Sequence, residues 1–351
     1  MKKIQSNSKT QLRNNLKRLK QLDEEQQCLF KEIKINCRVS TENKKTINSH
    51  VISEKDYLSR ISEEKFVIVC DHKSEQYYAK TEDNQLSEMK KSFKKVKVAN
   101  VANTRNLLCG DHDKILFNRI ENGRHFDITN SDYQEQCFQF ALRAFLFGYI
   151  HSKRLDDPEI QTGHSKTANS IYEQRKDEKE QVLEKFKRAY LQEKWDVLHT
   201  EVYTLPKEIQ FISSVSFFPY SYMKYKYGGH IKENIFLNVF PDGNNTKIVI
   251  AYFKDNSKHS KVIVEKISAW YKKGYYKKIE QFLTRCILLY DLNVTYRPSF
   301  YEKLLSNDDS AKQFFELSFL IRTARGMRFM FDYPYSVLIK RLRINIFEGY
   351  K

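Results

Sequence analysis

The chain has 351 residues, 61 lysines and arginines against 44 aspartates and glutamates, and a formal net charge of +17. That length allows two domains, each burying its own core, and a 14% aromatic and 40% hydrophobic content excludes a largely disordered chain. No run reaches the roughly 20 apolar residues of a membrane span, and no apolar segment follows the N-terminal Met-Lys-Lys-Ile-Gln-Ser-Asn, so a soluble, cytoplasmic protein with no membrane partner is expected.

The positive charge has two readings. A basic chain attracts polyanions, yet abundant lysine, asparagine, isoleucine and tyrosine is also what an AT-rich coding sequence produces. The six cysteines, in a reducing compartment, read as core residues, metal ligands or nucleophiles before disulfides.

In chain order, residues 8–27 place Leu12, Leu16, Leu19 and Leu22 at helical spacing among polar residues, which predicts an exposed, lysine-rich helix over 1–27. Cys28 and Cys37 follow, with eight residues between them, wider than the usual zinc knuckle. A strand-like Ser49-His-Val-Ile52, a short helix near 57–61, and strands over 65–71, 75–80 and 93–98 come next, the first two as a hairpin. A small α/β layout around a metal, without a large core, is expected for this stretch.

The densest chemistry lies in Asn103-Thr-Arg-Asn-Leu-Leu-Cys-Gly-Asp-His-Asp-Lys114. The two-residue gap between Cys109 and His112 suits two ligands presented from one tight turn at the start of a helix near Asp111. With Cys28 and Cys37 these residues make a Cys₃His set for a closed, structural zinc. Cys70, Cys137 and Cys286 read as buried small hydrophobes.

Residues 132–154 predict a core helix, and 168–198 a long charged one. After Pro206 the period becomes that of strands, at 208–218 and in a hairpin of 234–240 with 247–253 around Pro241-Asp-Gly-Asn-Asn-Thr246. Helices return at 262–271, 277–289 and 310–324. Two segments, 220–227 and 270–278, interleave tyrosine or tryptophan with lysine, a pattern that could stack bases and neutralise phosphates or simply lay lysine stems over half-buried rings. The expected class is α+β: an N-terminal helix (1–27), a small zinc-stabilised, treble-clef-like module (28–125), and a larger mixed α+β domain (130–351) of unassigned role.

The order Cys…Cys, Ser-His-Val-Ile, then Asn106-Leu-Leu-Cys-x-x-His-Asp113 resembles the HNH (ββα-metal, treble-clef) nuclease pattern across residues 28–122. His112 replaces the last knuckle cysteine, and Asp113 stands where that family keeps a metal-binding histidine. The pieces Leu108-Cys-Gly-Asp-His-Asp-Lys-Ile-Leu-Phe117, Ile120-Glu121 and Asn293-Val-Thr-Tyr-Arg-Pro298 also resemble a group of uncharacterised bacterial proteins, which brings no known activity.

The HNH resemblance implies a metal-dependent endonuclease acting on DNA, by analogy in bacterial anti-phage defence. His50 would be the general base, Asp113 would hold a catalytic Mg²⁺ or Mn²⁺ with Asp111 as a nearby second acid, and Asn106 or Asn103 would orient the imidazole. Alternatively, His50 is the fourth zinc ligand or a structural histidine, and Asp113 only caps the helix that follows. Three functions follow: the nuclease, a non-enzymatic zinc-binding protein that recognises nucleic acid or protein, and an abortive-infection toxin acting on RNA or translation. A protein partner or a homo-oligomer fits any of them.

Overall fold

The computed structural model describes residues 2–33, 46–50, 57–71, 91–98, 104–121, 126–155, 166–217, 233–255, 257–290, 293–306, 309–311, 314–315 and 344–348. The class is α+β. None of the described helices is long and apolar enough to cross a membrane.

The first helix, α1, spans Lys2–Glu25, and of its leucine row Leu19 is buried. Strand β1 (Asn48–His50) and the one-turn α2 (Ser59–Ile61) follow, then β2 (Phe66–Cys70), β3 (Phe93–Lys97) and β4 (Thr104–Asn106). Beyond them lie α3 (Gly110–Leu116), α4 (Tyr133–Leu155) and α5 (Lys166–Leu191). Strands β5 (Leu198–Leu205), β6 (Phe211–Phe217), β7 (Ile235–Asp242) and β8 (Asn245–Phe253) precede α6 (Lys258–Lys272) and α7 (Tyr276–Tyr290). The two-residue β9 (Thr295–Tyr296) and α8 (Pro298–Leu304) come last.

A seven-stranded antiparallel sheet, in the order β3-β2-β9-β6-β7-β8-β5, forms the middle layer. Strand β7 is buried along nearly its whole length, because its alternate side chains enter two different cores. Phe236 and Phe240 pack with α4 and α5, while Leu237 and Val239 pack with α6 and α7. On the α4 side Phe140 stacks on Phe240 at 5.1 Å, and Phe138 meets Phe186 of α5 at 5.4 Å. Helices on both faces thus bury a sheet that is antiparallel throughout.

The β7–β8 hairpin is tighter than the sequence suggests. Pro241 pairs with Thr246 and Asp242 with Asn245, leaving Gly243 and Asn244 as the turn. Gly243 has φ +59, a left-handed conformation that costs glycine nothing.

Two expectations need correction, and a third falls partly outside the described residues. The helix expected over 168–198 ends at Leu191, Glu193 turns left-handed with φ 51, and a strand absent from the sequence reading, β5, begins at Leu198. Strand β2 pairs with β3, whereas the arm expected at 75–80 lies outside the described residues. The cysteine stretch is not a small layout without a large core, since Cys28 and Cys109 belong to the same continuous core as Phe138, Phe145, Phe236 and Phe240. The link is topological: β9, arriving after α7, inserts between β2 and β6, so β2 and β3 extend the sheet built from residues 198–253.

Candidate metal centre

Directly after α1 the chain tightens, Lys31 N donating to Cys28 O at 3.2 Å and Ile33 N to Phe30 O at 3.0 Å. Leu29 N donates to Leu107 O at 3.0 Å, which fastens this turn to the segment before Cys109. Ile47 N donates to Leu108 O at 2.8 Å, and β1 then pairs antiparallel with β4, Asn48 opposite Asn106 and His50 opposite Thr104. These two strands form a sheet of their own, apart from the seven-stranded one.

Helix α3 starts immediately beyond. Cys109 occupies its N-cap position with extended backbone, and its carbonyl accepts from Asp113 N at 2.9 Å. The three-residue step from Cys109 to His112 therefore sets thiol and imidazole on one side of the first turn. His112 is fully buried, between the turn at Cys28–Ile33 and its own helix.

The hydrogen bonds decide the imidazole's tautomer. Nε2 lies 3.1 Å from the carbonyl oxygen of Ile33; a carbonyl only accepts, so Nε2 carries the proton. In the neutral ring Nδ1 then presents a lone pair, and it faces Sγ of Cys109 at 3.0 Å and Sγ of Cys28 at 3.3 Å. A ligating histidine that donates its other ring N–H to a backbone carbonyl has this arrangement.

The three donor atoms lie within 4.8 Å of one another, and all three residues are buried. A tetrahedral zinc, with Zn–S about 2.3 Å and Zn–N about 2.0 Å, sets its donors roughly 3.5–3.8 Å apart, so the group needs only small adjustments to hold an ion. Burial pushes the Cys28 thiol up to about 11, helped by the neighbouring Cys109 and opposed by backbone hydrogen bonds. Without a cation the Cys28 thiol stays protonated at neutral pH; a bound cation would favour its thiolate.

Of the residues singled out from sequence, the structure brings Cys28, Cys109 and His112 together. Cys37, the expected fourth ligand, lies outside the described residues, as does Asn103. Asp113 follows His112 on α3 and is half-buried. Asp111, in the same turn, has a buried Oδ2 without a hydrogen-bond partner among the described residues. For His50 and Asn106 the structure gives the strand register alone.

Comparison with family models, curated proteins and solved structures found no match.

A polar network on α4 holds the turn that follows α3. Arg143, 2% exposed, ion-pairs with Glu121 and lies 4.0 Å over the ring of Phe117. The side chain of Gln139 accepts from Arg119 N at 2.9 Å and donates to Asn118 Oδ1 at 3.1 Å, while Gln136 Nε2 donates to Arg119 O at 3.1 Å. These groups satisfy the backbone where α3 ends. The sequence reading takes 132–154 as a core helix without singling out Gln136, Gln139 or Arg143; their spacing on one helical face was the available signal. The Ile33 carbonyl had none, since a backbone group leaves no mark in the sequence.

Proposed function

We propose that this protein is an HNH-like, metal-dependent nuclease acting on DNA, with a structural zinc held by Cys28, Cys109 and His112. The observation that carries the reading is the order of elements at the centre: the strand pair β1–β4, bearing His50, runs directly into α3, bearing Asp113, with the Cys109 and His112 donors at the junction. That order matches the ββα arrangement the sequence resembles. Two sulfurs and an imidazole form a soft donor set suited to zinc, with Cys37 the expected fourth ligand.

In this reading the zinc holds the fold and does not take part in the reaction. A hard divalent ion, Mg²⁺ or Mn²⁺, would supply charge neutralisation at the scissile phosphate, and Asp113 is the residue to hold it. His50 takes a proton from the attacking water, and Asn106 orients its imidazole. Anti-phage defence is the setting, by analogy.

The test is relaxation of supercoiled plasmid DNA by purified protein with added Mg²⁺ or Mn²⁺. Cleavage by the wild type, lost in His50→Ala and Asp113→Ala while zinc content stays at one per chain, supports the assignment. Cleavage that survives both substitutions, or none by the zinc-loaded wild type, sinks it.

Complete burial of the Cys/His group fits equally a second reading, in which the centre is only a scaffold of a non-enzymatic nucleic-acid- or protein-binding protein. It predicts stoichiometric zinc, salt-sensitive binding and no turnover. An abortive-infection toxin acting on RNA would instead arrest growth on expression without cutting plasmid.

A further inference from the structure

We propose that the turn between α6 and α7 is a docking surface for single-stranded nucleic acid, on the opposite side of the seven-stranded sheet from α4. From Lys266 to Ile279 the chain carries five lysines and no carboxylate. Lys272, Lys273, Lys277 and Lys278 are all exposed, and among the described residues none is ion-paired. Some lysines elsewhere are partnered, as Lys185 is with Asp255, Lys187 with Glu184, and Lys207 with Glu280, the acid that follows this stretch.

Helix stability does not explain the pattern. Lys272 and Lys273 close α6, where the helix dipole favours cations, but Lys277 and Lys278 occupy the first turn of α7, where it disfavours them. That turn contains no acidic residue. Four unneutralised cations around one bend fit a partner with regularly spaced negative charge.

The aromatic groups select the kind of polyanion. Gly274, with φ +69, ends α6: its N–H donates to Tyr271 O at 2.9 Å, and Tyr275 N donates to Trp270 O at 2.9 Å. This left-handed cap turns the chain so that the next residue projects outward, and Tyr275 is 46% exposed with Lys278 Nζ 4.5 Å from its ring centre. Trp270 is half-buried beside it, its edge held by Phe282 at 6.1 Å. An exposed ring among unpaired lysines stacks an unpaired base while ammonium groups meet the flanking phosphates. A bilayer would require exposed aliphatic side chains, and this turn has none.

The surface deepens the partner of the nuclease reading but does not depend on its chemistry. The experiment is fluorescence anisotropy of the full chain with a labelled 20-nucleotide oligothymidylate, without added divalent ions, the strand being checked for integrity afterwards. Matching duplex and anionic vesicles serve as the other arms. The wild type is expected to bind the single strand in a salt-dependent manner. Replacing Lys272, Lys273, Lys277 and Lys278 by Glu should weaken binding more than ten-fold and flatten the salt slope by about 2.8, at about 0.7 per phosphate contact. Tyr275→Ala should weaken it roughly five-fold or more. Lys277→Gln with Lys278→Gln, which removes charge the dipole disfavours and so preserves the fold, should give an intermediate loss. Unchanged affinity and slope in the lysine variants overturns the proposal, as does binding to vesicles but not strands, or to duplex as tightly as to single strand. A bound strand with no plasmid cleavage leaves this surface standing and removes only the nuclease.

Discussion

The imidazole Nδ1 of His112 lies 3.0 Å from Sγ of Cys109, three residues earlier on the same turn, and the opposite ring nitrogen is held by the Ile33 carbonyl. Orientation and tautomer are thus set by the polypeptide before any ion arrives, and the thiol of Cys28 closes the group from a turn 84 residues upstream.

Because all three donors are buried, their loss should be felt by the whole fold. Protein purified without chelator is expected to carry one metal ion per chain by plasma mass spectrometry, and His112→Ala or Cys109→Ala to carry none. Removing the imidazole also strips the buried Ile33 carbonyl of its donor, a cost of about 1–3 kcal/mol beyond the lost ion. Urea denaturation of the wild type after metal removal should approach the stability of the variants; a metal-free wild type as stable as the loaded one would exclude a structural role for this group.

Arg143 and Glu121 form a pair in which the guanidinium is almost fully buried and the carboxylate about one-fifth exposed. Arg143→Met should destabilise the chain by about 3 kcal/mol, because it leaves the carboxylate without its partner. Adding Glu121→Leu should recover part of that loss. In a double-mutant cycle the coupling energy should reach about 1–3 kcal/mol; additive effects would mean that Arg143 acts only through its packing on Phe117.

Glu63 caps α8 from a distance in sequence: Ser299 N donates to it at 2.9 Å and the Ser299 hydroxyl donates to its other oxygen. Burial alone would raise its pKa, but the Ser299 hydrogen bonds and the nearby Arg297 and Lys95 charges outweigh that effect and hold the carboxyl below its usual value. A depressed folded value means the contribution is fully present above the unfolded carboxyl pKa of about 4.3, and is lost as pH falls through the folded value. Glu63→Gln should therefore cost about 0.5–1 kcal/mol at pH 7, and the two denaturation midpoints should converge in acid. A gap that persists at the lowest pH compared would show that the charge is immaterial.

Gly243 tests the turn of the β7–β8 hairpin. No atom lies within 4 Å of where its Cβ would be, so a side chain meets only the backbone penalty of positive φ. Gly243→Ala should lower stability by about 1 kcal/mol, and Gly243→Asn by less, since asparagine tolerates this conformation. Equal losses for the two would point to another cause.

The parts of this protein legible in the sequence are those whose signal is local. Periodic apolar residues announced α4, α6 and α7, the turn around Gly243 announced its hairpin, and the Cys109–His112 gap announced two donors on one turn. Strand β5 was hidden because edge strands are covered on fewer sides, and Leu198-His-Thr-Glu-Val reads as polar. Strand β9 was hidden because two residues have no period.

What only the tertiary structure decided is long-range. The return of Cys28 to His112, the Ile33 carbonyl that selects the tautomer, and the insertion of β9 between β2 and β6 all depend on segments far apart in sequence. Their contacts rest on backbone hydrogen bonds and shared burial, which any of several sequences would satisfy. The residue types at the centre were therefore readable from the chain, whereas their assembly within one core was set by how the two faces of the sheet are covered.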